Sequence, residues 1–147
     1  MKKFVFSLEK VLNVKQQMLE VKKNEILQLQ MKIKEIENEE DNIKLEFNEY
    51  DKQMKGELEK GTSPQNVMTY KVYFNSLIRR EKELAKEKER YKEIIMQHQE
   101  ELVKLKSEIS GLEKLKEKQR AEYDKLVRKT QERDIEEYIN QISAAQQ

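Results

Sequence analysis

The sequence has no cysteine, no tryptophan, one proline, three glycines and one histidine in 147 residues. Without cysteine there is no disulfide, no thiolate metal site and no thiol nucleophile. With so few prolines and glycines there is little turn punctuation, so long uninterrupted helices are the economical arrangement. Hydrophobic residues are 36% and charged residues 40%, against ~45–50% and ~25% in ordinary globular domains, so a many-layered core is not expected. The apolar run near the start, Phe4 to Phe6, is too short for the core of a signal peptide, and no run approaches a membrane span. Charge of one sign is not in excess either. A net charge of +1 gives no electrostatic case for binding nucleic acid or membranes.

What is present is periodic. From Leu8, steps of four and three residues land on Leu12, Lys15, Leu19, Lys22, Ile26, Leu29, Ile33, Ile36, Glu40, Ile43, Phe47, Tyr50 and Met54, and eleven of these fourteen positions are apolar. A seam held for seven repeats predicts one long coiled-coil helix over about residues 8–58. Ser7 is the expected N-cap, with Phe6 and Val11 as a hydrophobic staple. The stretch "KGTSPQ" then reads as a turn over about residues 59–63: Gly61 can adopt the left-handed conformation, Ser63 can cap the next helix, and Pro64 suits its first turn. A second seam from Val67 to Leu126 has thirteen apolar positions of eighteen and predicts helix 2 over about residues 64–142.

A short turn between two long seams brings them together antiparallel. Charge agrees: residues 35–59 hold ten acids against three lysines, whereas residues 71–92, their expected neighbours, hold eight bases against four acids. The expected fold is all-α, a single coiled-coil domain over residues 1–147 in which helix 2 extends beyond helix 1. At 1.5 Å per residue the helices span roughly 75 and 115 Å. Folding back at Gly61 puts Leu8 opposite residues near 114, so everything after Leu115 is expected to lack a partner in its own chain. That stretch is still amphipathic, with Tyr123, Leu126 and Val127, then Ile135, Tyr138, Ile139 and Ile142, which implies a partner elsewhere.

Candidate chemistry is sparse. His98 falls on the second seam, with Asn24 rather than an acid as its expected neighbour. Acid pairs such as Glu39-Glu40 and Glu100-Glu101 sit on solvated helices with no cleft to shift a pKa. No glycine-rich phosphate loop occurs, and Lys60-Gly61 belongs to the turn. No catalytic residue, metal, cofactor or small-molecule substrate is therefore expected. Two features remain. The run Lys114 to Lys129 holds seven bases against three acids, which would steer the open end of the hairpin toward an acidic protein surface. In "VMTYKVYFNSLI", eight of twelve residues are apolar; Tyr70, Phe74 and Leu77 belong to the seam, leaving Met68, Val72, Tyr73 and Ile78 as an expected exposed docking patch.

Three segments in order around the turn, "FVFSLEKVLNVKQ", "MTYKVYFNSL" and "LEKLKEKQRAEYDKLVRKTQERDIEEYI", resemble the FliJ family of bacterial flagellar export, and the resemblance covers the whole chain. Glu136-Glu137 stand where many members have Asp-Glu. The resemblance implies a non-enzymatic coupling rod of the flagellar type III export apparatus, serving motility and chemotaxis. It would be cytoplasmic and peripherally associated with the inner membrane at the flagellar base. Its implied partners are the hexameric export ATPase, whose assembly members promote, the membrane export gate, and export chaperones. The implied gate contact maps onto Tyr70, Tyr73, Phe74, Leu77, Arg80 and Leu84. The implied ATPase contact maps onto Leu8, Leu12, Tyr123, Leu126, Val127, Ile135, Glu136 and Tyr138. Two other readings are a scaffold coiled coil that self-associates through its C-terminal helix, and a rotary ATPase stalk, which would usually carry a further globular part.

Overall fold

The structure, a computed structural model, describes residues 2–146. Two helices account for nearly all of them: α1 (Glu9–Lys60) and α2 (Pro64–Gln146), with no strand among the described residues. The fold is all-α, a two-helix hairpin. The turn follows from local chemistry. Gly61 has φ 85°, a left-handed conformation that ends α1 at little steric cost. The N–H of Asn66 donates to the Ser63 hydroxyl at 3.2 Å, so Ser63 caps α2 with Pro64 as its first residue. The Asn66 side-chain amide also reaches Glu57 at 2.6 Å and Thr62 at 2.9 Å, tying the two helix ends together.

The chain packs as two compact units: a turn unit, Lys22–Glu101, and a terminal unit, Met1–Val21 with Leu102–Gln147. In the turn unit Ile36, Ile43, Leu77 and Leu84 form the core, with Tyr73 and Tyr91 packed against it. Leu84 is 1% exposed, the most completely buried core side chain among the described residues. In the terminal unit Phe6, Leu12 and Ile109 form a second core, covered by Phe4, Leu8, Leu19 and Leu112.

Five of the charged residues that interrupt the seams, Lys15, Lys22, Glu40, Lys88 and Lys116, find opposite charges on the other helix. In the terminal unit Lys15 pairs with Glu108 at 2.6 Å and Lys116 with Glu9 at 2.9 Å. In the turn unit Lys22 pairs with Glu101, and Lys88 with Glu40 at 2.8 Å. As the α1 number rises the α2 number falls, so the helices run antiparallel in each unit. A buried apolar seam tolerates slippage by a heptad; a charge without its partner does not, so these pairs fix register more than they add stability.

The start of α1 differs from the expectation. The Glu9 N–H donates to the Phe6 carbonyl and the Leu12 N–H to the Leu8 carbonyl, so backbone carbonyls rather than the Ser7 hydroxyl open the helix. Phe6 packs with Leu12 rather than with Val11, which is left on the surface.

Candidate functional site

In the turn unit the aromatic residues of "VMTYKVYFNSLI" meet two aromatics of α1. Phe74 lies 4.7 Å from Phe47, Tyr73 lies 4.3 Å from Tyr50, and Tyr70 lies edge-on to Tyr50 at 6.3 Å, all between ring centroids. Offset and tilted pairs of this kind avoid the repulsion of facing π clouds. Tyr73 is therefore not on the leftover face. It is half-buried against the core, and a hydrogen bond to Glu46, with burial second, pushes its phenol up to about 12. Burial first, and then a hydrogen bond to Glu57, raises the Tyr70 phenol.

Of the six residues assigned to a gate contact, Leu77 and Leu84 belong to the core, 7% and 1% exposed. Tyr70, Tyr73 and Phe74 are half-buried, and Arg80 is exposed but engaged with Glu39 at 3.1 Å. The truly exposed apolar side chains are Met68 and Val72, each 63% exposed, with Ile78. Ile78 also borders a shallow groove of about 410 Å³ between the helices, with Phe47, Ile43, Leu77 and Glu81. Phe47 is the member that sequence reasoning missed. Its place on the α1 seam was visible; that the seam stays partly open there was not.

In the terminal unit the apolar surface is arranged differently. Residues 2–8 do not join α1 but lie along α2, where the Phe4 ring is 5.7 Å from Tyr123 and the Arg120 guanidinium sits over both rings at 5.2 and 5.9 Å. The Tyr123 hydroxyl donates to the Lys2 carbonyl. Intramolecular packing therefore runs on to Tyr123, past the expected limit at Leu115, because an extended strap rises further per residue than a helix does and carries two phenylalanines. Three of the eight residues assigned to an ATPase contact are thereby occupied within the chain: Leu12 is buried, Leu8 packs beside it, and Tyr123 holds the strap. Val127 is half-buried. Leu126, Ile135, Glu136 and Tyr138 are exposed, as are Ile139 and Ile142.

His98, in the turn unit, also departs from expectation. Its neighbours are Lys22, whose ammonium is 3.2 Å from Nδ1, and the carboxylates of Glu25 and Glu101, each 3.8 Å away. The hydrogen bond and charge of Glu101 hold the Lys22 ammonium above its usual value, and Lys22 in turn holds Glu101 below the usual carboxylate range. The cluster is an ion-pair network at a polar point of the seam. Among the described residues no group of His, Cys, Asp or Glu is arranged to hold a metal ion, and no helix is long and apolar enough to cross a membrane.

The architecture defines a class, the all-α two-helix hairpins. The chain belongs to the FliJ family: the family described as "Flagellar FliJ protein" matches residues 4–147. That membership makes it a component of a flagellar or type III protein export apparatus, with partners inside that apparatus. Among solved structures the chain is similar to a putative YscO homolog, CT670, from Chlamydia trachomatis. The TM-score is 0.68 at 20% identity, covering 95% of this chain and 90% of that one. At that identity the likeness is one of fold. No curated protein matches the chain.

Proposed function

We propose that this protein is a non-enzymatic coupling element that links the export ATPase ring to the membrane export gate and promotes assembly of the ring. It works in the cytoplasm, peripherally at the membrane, and also handles export chaperones. One observation carries the reading: beyond Val127, α2 keeps an amphipathic pattern, with Leu126 just before it and Ile135, Tyr138, Ile139 and Ile142 after it, yet these side chains are exposed, with nothing among the described residues covering them. A helix that retains apolar side chains without burying them is suited to burial by a partner. Leu126, Val127, Ile135, Glu136 and Tyr138 then face the ATPase, with Leu8, Leu12 and Tyr123 shaping the base of that segment from within the fold. Met68, Val72 and Ile78, supported by Tyr70, Tyr73, Phe74 and Arg80, face the gate, while Leu77 and Leu84 hold that surface in place.

Truncation after Arg128 tests the ATPase contact without disturbing the strap. The shortened chain is expected to keep its helicity and thermal midpoint and to lose capture of the export ATPase in a pull-down. Undiminished capture would return the segment to the other reading, self-association through the C-terminal helix, which sedimentation equilibrium of the two proteins would then reveal.

A further inference from the structure

Four α1 side chains of the terminal unit, Val11, Val14, Met18 and Val21, are between 42% and 56% exposed. Their three-four-three spacing places them on one face, displaced about 100° from the seam because each precedes a seam position by one residue. The main seam gives them no partner. One edge of the hairpin is marked by Glu9 with Lys116 and by Gln16 with Glu113 at 3.5 Å; there the α1 and Glu113 positions follow seam residues. Val11 and Met18 precede seam residues, and so do Glu108 and Leu115 on α2; in an antiparallel pair such positions share the opposite edge.

Two features of that edge bear on what could cover it. Gly111 lies one turn from both Glu108 and Leu115, in the interior of α2, where glycine is destabilising relative to alanine. A Cβ added there would meet nothing within 4 Å, so packing inside the chain does not require the glycine, and the space beside its backbone is open. Lysines flank this edge. Lys10 flanks the stripe on α1, and Lys104 and Lys118 stand seven residues either side of Gly111. Glu108 is already neutralised by Lys15, whose hydrogen bond holds its carboxyl below the usual range. Residues 2–21 and 102–129 together carry thirteen bases against seven acids.

We propose that this edge docks an amphipathic α-helix of another protein, one whose apolar stripe is flanked by aspartate and glutamate, to form a three-helix coiled coil. The stripe supplies the apolar contact, Gly111 the room for a third backbone, and the lysines the preference for an acidic partner. The inference does not rest on the function proposed above, because none of these residues belongs to the exposed segment after Leu126.

Two synthetic peptides of roughly three heptads serve as probes, both with Leu at a and d, one with Glu and the other with Lys at e and g. Anisotropy titrations with the full chain are expected to show the Glu peptide binding at least about tenfold more tightly, with the difference shrinking at high salt. Met18→Glu and Gly111→Leu should each weaken it about tenfold or more without lowering the thermal midpoint, since both positions are open in the hairpin. Ile135→Asp should bind as the unaltered chain does. Equal affinity for the two peptides, unchanged binding by both edge variants, or loss of binding by Ile135→Asp would each overturn the proposal. So would self-association of the unaltered chain that Met18→Glu abolishes, which would make a second copy the occupant.

Discussion

The turn unit and the terminal unit close their own two-helix seams by opposite means. Where the chain reverses, the seam is closed by bulk: Phe47 and Tyr50 of α1 interleave with Tyr70, Tyr73 and Phe74 of α2, and Asn66 bonds across the turn. In the terminal unit α1 has run out, and the strap at residues 2–8 substitutes for it as far as Tyr123, while the α2 side chains described beyond Val127 are exposed. The difference teaches what an exposed apolar residue means in each place. Met68 and Val72 project from a helix that is already packed, so a partner there meets a preformed surface. Ile135, Tyr138 and Ile139 project from a helix that is not packed at all, so a partner there also supplies its tertiary support.

That contrast can be broken first at the cores. Leu84→Ala in the turn unit is expected to lower stability by about 2–5 kcal/mol, the range for a buried leucine. Leu12→Ala should cost less, because the strap that covers it can collapse into the space. Thermal and denaturant unfolding of both variants decides it, and equal losses would mean that the strap is as rigid as the aromatic closure.

Aromatic truncation comes next. Tyr73→Ala is expected to destabilise by about 1–2 kcal/mol, below the roughly 3–5 kcal/mol of a fully buried aromatic, because the ring is half-buried between the core and Tyr50. Since that variant alters stability as well as surface, Met68→Asp with Val72→Asp is the sharper probe of gate docking. Their folding free energy should stay within about 0.5 kcal/mol of that of the unaltered chain while association with the gate falls. Gate binding that survives in this pair would move the contact to the groove beside Phe47.

Substitution on the uncovered helix should be nearly silent in stability. Ile135→Asp with Ile139→Asp is expected to change the folding free energy by no more than about 0.5 kcal/mol and still to abolish binding of the ATPase. A large loss of stability would show that the segment is packed in solution.

Acid unfolding gives the smallest effect. Glu108 and Glu101 are held below the usual carboxylate range by Lys15 and Lys22. Their contribution is present above the unfolded-state value and is lost as pH falls through the depressed one. The thermal midpoint should therefore decline below about pH 4.5, and the acid limb should be shallower in Lys15→Gln, where Glu108 has lost its partner. In alkali the sign reverses: the Tyr73 phenol, raised to about 12, contributes below its unfolded value and loses that contribution as pH climbs through the raised one.

Sequence alone determined the parts that depend on local chemistry and on periodicity. Gly61, Ser63 and Pro64 specify a turn whatever surrounds them, and a four-three repeat of apolar residues specifies which face of each helix is buried. The exposure of Ile135, Tyr138 and Ile142 was equally legible, because a helix longer than its partner must run past it. Tertiary structure decided everything that depends on distance between residues far apart in the chain. It placed Tyr73 against Tyr50 and the turn-unit core instead of in solvent, because a large ring one position off a seam can still lean into it where the facing helix offers another ring. It surrounded His98 with Lys22, Glu25 and Glu101, since side chains several bonds long reach a turn beyond the residue directly opposite. It carried the packing from Leu115 to Tyr123, because whether a short non-helical segment folds back is set by the two phenylalanines and the arginine it meets there, and no periodicity records that meeting.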